Sequence, residues 1–205
     1  MLASGNVEVA PWAVERRFIA GIGVGAIAAI LLMVVAIGAR ADLLAAMHLP
    51  MFWGKLAFTA SLAAASLLGA VRLARPGVAL GRAPLAAAAP IAALWMLAIA
   101  TLLVAEPTQR AQLIFGKTWT VCPLLIAMLA IPVFAGAMWT LAGLAPTRLR
   151  LAGATAGLLS GAIAAFVYSL HCPEMAAPFL ALWYVLGIVT PAALGAWLGP
   201  RLLRW

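Results

Sequence analysis

The chain has 205 residues, 67% of them hydrophobic and 9% charged, with a formal net charge of +8. A soluble domain is about half apolar and about a quarter charged, so the few charged side chains here cannot clothe a globule in water, and the composition equally excludes a disordered chain or a disulfide-rich secreted scaffold with only two Cys. The 13 Lys and Arg lie singly or in pairs between apolar stretches, so the expected counter-charge is an anionic lipid surface and no direct nucleic-acid binding is expected.

Residues 1–17 form a short N-terminal segment that carries Glu8, Trp12, Glu15, Arg16 and Arg17. A helix needs about 20 apolar residues to cross the hydrocarbon of a bilayer. Six largely uncharged runs of that length follow, at residues 18–38, 52–71, 84–105, 120–144, 151–170 and 178–199. Backbone groups in lipid must be bonded within the segment, and the runs lack the alternation of barrel strands. The fold predicted for residues 18–205 is therefore an all-α, six-helix transmembrane bundle with short loops. The first run is too long for the apolar region of a signal peptide and is read as a membrane helix.

Pro90, Pro132 and Pro191 fall inside runs and predict kinks. Gly153, Gly157 and Gly161 recur every four residues in the fifth run, with shorter cases at Gly21 and Gly25 and at Gly195 and Gly199. Small residues at that spacing predict faces where neighbouring helices approach closely. Nine of the 13 basic residues fall on the side of the termini (Arg16, Arg17, Arg72, Arg75, Arg82, Arg148, Arg150, Arg201 and Arg204), which places both ends in the cytoplasm of a multi-pass bacterial inner-membrane protein. Arg40, Lys55, Arg110 and Lys117 fall on the other side.

Every ionisable residue is assigned to a loop or to within about a turn of a helix end, which disfavours a transporter with charged groups at the midplane. His48 and His171 both fall on the outer side, so a bis-histidine haem site inside the bundle has no ligands. No nucleotide-binding glycine loop, catalytic triad or metalloprotease signature occurs, so neither an enzyme nor a cofactor is expected. A small-solute permease or channel and a purely structural membrane subunit remain the alternatives to a regulator.

Two cysteines stand out. Thr147, in the turn between the fourth and fifth helices, is 25 residues from both Cys122 and Cys172. That symmetry sets both thiols at one height on adjacent antiparallel helices, within reach of a disulfide after a small inward lean. Each is followed by proline, which predicts Cys122 at an N-cap with Pro123 opening the helix, where free N–H groups favour a thiolate. A static bridge, inert thiols and a reactive pair all remain open. With His171 and Glu174 the two sulfurs offer the residue types of a soft-metal site, without a standard ligand spacing.

The W-x-x-C-P start of the fourth helix (119–123), the L-H-C-P-E loop (170–174) and the closing G-x-x-L-G-P-R-L-L-R-W tail (195–205) together resemble the NrsF family of bacterial inner-membrane anti-sigma factors. The resemblance implies a negative regulator that sequesters an extracytoplasmic-function sigma factor and releases it on envelope, metal or redox stress. It also implies that Cys122 and Cys172 are the signal-sensing pair on the outer side. Sigma-factor contact is then expected at Glu8, Trp12, Glu15, Arg16 and Arg17. Members resembling this chain begin with a longer amphipathic segment, so an in-frame upstream extension is expected before Met1.

Overall fold

A computed structural model describes residues 12–75 and 77–204. Six helices are long and apolar enough to cross a membrane. They are α1 (Ala13–Ala36), α3 (Pro50–Leu73), α4 (Ala83–Val104), α6 (Cys122–Ala142), α7 (Leu149–Tyr168) and α8 (Ala177–Leu202). Two short helices, α2 (Leu43–Ala46) and α5 (Pro107–Phe115), lie in the connections between spans. Proline occupies the first or second position of α3, α4, α5, α6 and α8, where its missing N–H is not needed and its fixed φ already suits the helix. These prolines set the span starts within two residues of the sequence expectation.

Alternating traverses bring the described chain ends to one end of the bundle, the arginine-rich end; the connections carrying both cysteines form the other, the cysteine end. α7 is the central helix, with 67% of its span buried against 11% for α4, which lies at the rim. Large apolar side chains on the outer faces, such as Val35 of α1 and Leu103 and Val104 of α4, are exposed where lipid would cover them.

The small-residue faces pair as expected. A Cβ added to Gly157 would strike the Pro191 carbonyl oxygen, and one on Gly153 would strike that of Gly195. Gly199 abuts the Leu149 carbonyl in the same way, so α7 and α8 meet backbone to backbone along their length. Gly21 and Gly25 of α1 rest on Gly136, Pro132 and Val133 of α6, a second such contact. Dispersion contacts of this closeness hold helices together where lipid removes the hydrophobic drive between them.

At the arginine-rich end α1 is fastened by three polar contacts, one of them from the Thr140 hydroxyl to the Arg17 carbonyl at 3.3 Å. Arg75 donates to Glu15 at 2.9 Å. Arg17 lies 4.4 Å over the Trp139 ring and donates to the Trp139 carbonyl at 3.2 Å. Of the residues expected to contact a sigma factor, Glu15 and Arg17 are thus engaged with the bundle, Trp12 and Arg16 are exposed, and Glu8 lies outside the described residues.

Candidate functional site

Cys122 opens α6 and Cys172 lies four residues beyond the end of α7. The two side chains come together, as their equal distance from Thr147 predicts, and each has 0% exposure. Both are free thiols. The helix start differs by one residue from expectation: Val121 is the N-cap and Cys122 already helical, because the Cys122 N–H donates to the Thr118 carbonyl at 2.9 Å, a bond of helical spacing.

The 170–174 loop is held at almost every residue. The Leu170 carbonyl accepts from the Arg40 N–H at 3.2 Å, and His171 Nδ1 hydrogen bonds to the Gly38 carbonyl at 2.7 Å. The Cys172 N–H donates to the Tyr168 carbonyl at 3.0 Å, capping α7. The Cys172 carbonyl accepts from Lys55 Nζ at 2.9 Å and from Arg40 Nη1 at 3.5 Å. The Glu174 carbonyl accepts from Lys55 Nζ at 3.2 Å. The Glu174 carboxylate reaches away, accepting from the Lys117 N–H at 2.7 Å and the Thr118 hydroxyl at 3.4 Å. This ties the loop after α7 to the loop before α6. Gly116 makes room for that carboxylate and adopts φ +54°, ψ −151°, a region glycine alone enters readily.

Lys55 lies near the start of α3 at the cysteine end, as its position predicts, but its burial is not legible in the sequence: it has 0% exposure, in the midst of the cysteine site. Its position gives only an indirect sign, since a lysine in the second turn of a helix opposes the positive end of the macrodipole. Such a cation needs a specific acceptor, here two loop carbonyls. Tyr168 and Tyr184 were missed as well. Both are buried beside the sulfurs with ring centroids 5.8 Å apart, and Lys55 Nζ lies 5.6 Å from the centre of the Tyr184 ring. A π-helical turn at Leu180–Tyr184 in α8 carries Tyr184 to that position. One extra residue per turn re-aims a side chain, a device common at functional sites.

The surroundings favour charge on Cys172 rather than on Cys122, where the proline pattern had placed it. A hydrogen bond from the Cys122 thiol is the largest influence holding Cys172 below the usual thiol range; burial opposes it, and Lys55, the Tyr184 hydroxyl and the Glu174 N–H reinforce it. Nearby, the Arg40 fork on Asp42, with both contacts at 2.7 Å, keeps that carboxylate below its usual range and the guanidinium above its own. His171 and Glu174 frame the thiol pair without joining it. Among the described residues no three His, Cys, Asp or Glu converge as a metal-binding group.

With this geometry in view, the comparisons with known proteins gain a structural meaning. The family model described as NrsF, negative regulator of sigma F, matches residues 2–205. A protein of Azospira oryzae described as a probable anti-sigma-F factor NrsF is 50% identical over 205 residues, covering 100% of this chain and 96% of that protein. The anti-sigma-F factor NrsF of Caulobacter vibrioides is 40% identical over 204 residues, 99% of this chain and 94% of its own length. No solved structure matches the chain significantly. Matched along nearly its whole length, the six-helix chain with its buried thiol pair belongs to the NrsF family.

Proposed function

We propose that this chain is an anti-sigma factor of the bacterial inner membrane, which holds an extracytoplasmic-function sigma factor at the cytoplasmic face and releases it when stress is registered at Cys122 and Cys172. The names of the relatives support a sigma-factor partner. Nine of the 13 basic residues fall at the end of the bundle where the described chain ends lie, which supports a cytoplasmic location for that end. The cysteine end then faces the periplasm, where a disulfide persists once formed.

The observation that carries the sensing role is the free, fully buried thiol pair placed where α3, α6, α7 and α8 all converge. Joining the sulfurs there alters how the start of α6 sits on the end of α7. The far ends of the same helices frame the arginine-rich face, where exposed Trp12 and Arg16 offer contacts to a sigma factor. Release requires two packings separated by a few kcal/mol, one of which the sigma factor prefers.

Two measurements test the reading. Co-purification from detergent followed by mass spectrometry is expected to recover a sigma factor of the extracytoplasmic-function type, and recovery of none overturns the partner assignment. A reporter for that sigma factor is expected to lose induction by oxidant or metal in Cys122→Ser and Cys172→Ser; unchanged basal and induced output removes the sensing role.

A further inference from the structure

Lys55 is fully buried and no carboxylate pairs with it. Among the described residues the salt bridges are Arg40 to Asp42 and Arg75 to Glu15, and the Glu174 carboxylate is bound to Lys117 and Thr118. The two carbonyls that Lys55 meets satisfy two of its three donors without neutralising its charge. An ammonium taken out of water in this way either sheds its proton or takes a counter-charge close by.

The groups able to supply one can be named element by element. α6 presents Cys122, α7 presents Tyr168, α8 presents Tyr184 and the loop after α7 presents Cys172, while Arg40 adds a second cation and His171 faces Gly38. Thiols ionise at lower pH than phenols by more than a unit in water, about 8.5 against about 10. Of the two thiols, Cys172 is the one with donor groups beside it: the Cys122 S–H, the Glu174 N–H and the Tyr184 hydroxyl. That hydroxyl is fully buried and has no hydrogen-bond partner, an orphan donor that a nearby thiolate would satisfy.

We propose that Lys55 holds the cysteine pair as a single buried anion centred on Cys172, which makes Cys172 the attacking sulfur and Cys122 the resolving one toward a small uncharged oxidant of the hydroperoxide class. The proposal rests on the sensing role given to the pair above and assigns its chemistry. Zero exposure of both sulfurs excludes bulky or ionic reactants. A cleft of about 460 Å³ lined by Gln112, Lys117, Pro173 and Glu174 brings solvent to the flank of the Cys172 loop.

In the first step the Cys172 thiolate attacks the terminal oxygen of ROOH. The O–O bond breaks, the departing alkoxide takes up the equivalent of the proton that Cys172 lost to solvent on ionising and leaves as ROH, and Cys172 becomes a sulfenic acid. In the second, the Cys122 sulfur attacks the Cys172 sulfur, the S–O bond breaks, and the hydroxyl leaves as water with the Cys122 proton. Two thiols are oxidised to one disulfide and one hydroperoxide is reduced to ROH and water. Lys55 is a positioning residue throughout: it holds the loop through two carbonyls and balances the negative charge.

The test uses the full chain in lipid nanodiscs with no sigma factor present. Iodoacetamide alkylation is followed across pH with peptide mapping, reading the midpoint at each cysteine, because a midpoint is independent of how accessible the sulfur is. The wild-type chain is expected to show Cys172 titrating well below Cys122. Lys55→Met is expected to raise the Cys172 midpoint by about a unit or more, which lowers its thiolate fraction and slows its alkylation at neutral pH, and Lys55→Arg to restore most of it. Hydrogen peroxide treatment of the folded chain followed by unfolding in dimedone, which lets the reagent reach buried sulfur, is expected to trap a sulfenic acid at Cys172 in Cys122→Ser and none at Cys122 in Cys172→Ser. Equal midpoints in the wild-type chain, or trapping at Cys122, overturn the proposal even if Lys55→Met does not fold. An unmoved midpoint in a folded Lys55→Met chain removes Lys55 from it. A correct midpoint together with an unresponsive sigma-factor reporter leaves this chemistry standing and removes the sensing role.

Discussion

Cys172 makes the fold itself sensitive to pH. A thiol whose folded value lies below its unfolded value of about 8.5 adds stability that is complete above that value and is lost as pH falls through the lower one. The difference in thermal unfolding midpoint between the wild-type chain and Cys172→Ser in detergent is therefore expected to grow as pH rises through the neutral range. A difference independent of pH removes the ionised thiol from the account. Gly116 gives a second residue-level prediction. Alanine there would have to keep φ +54° and would bring its methyl carbon to 2.6 Å from a Glu174 carboxylate oxygen. Gly116→Ala is expected to cost about 1–3 kcal/mol of stability, read as a lower unfolding midpoint. At this scale the sequence disclosed the sulfurs but not their partners. Cys122 and Cys172 were legible because rare residues stood at equal distances from a turn. Lys55 was not, because its burial depends on a loop more than a hundred residues away closing over it.

Among the helices, the seam between α7 and α8 is the contact most exposed to mutation. Gly157→Ile puts a branched side chain where the Pro191 backbone already lies, and overpacking of that kind costs about 1–3 kcal/mol or breaks the pair outright. The natural control is Gly23, whose added Cβ meets nothing within 4 Å. Gly23→Ala is expected to leave stability unchanged or raise it slightly, since alanine is the better helix former by about 1 kcal/mol. Equal losses at both positions would mean that the close backbone contact at Gly157 does not set the cost. The long helices and their glycine faces could be read from sequence because length, apolarity and a four-residue repeat are local properties. The short α5 and the π-helical turn could not: α5 is nine residues in a polar connection, too short for its apolar face to announce a helix. The extra residue at Leu180–Tyr184 is compatible with any apolar run and shows only in where Tyr184 lands.

For the molecule as a whole, the alternation of six spans ties the position of every loop to that of the ends. Alkaline phosphatase fused after Trp205 is expected to be inactive and green fluorescent protein there to fluoresce, whereas phosphatase fused within the Gly116–Lys117 loop is expected to be active. The reverse pattern would turn the thiols toward the cytosol and end the periplasmic reading. The seam between α7 and α8 bears on how such a chain passes on a signal. Side chains elsewhere in a bundle act as cushions, and rotamer changes absorb small shifts before they travel. Where backbone meets backbone at Gly153, Gly157, Gly195 and Gly199 there is no cushion. Under the proposed sensing role, a shift where the sulfurs meet would move the two helices as one, like a bar clamped along its edge, and reach the arginines at the opposite rim some 30 Å away.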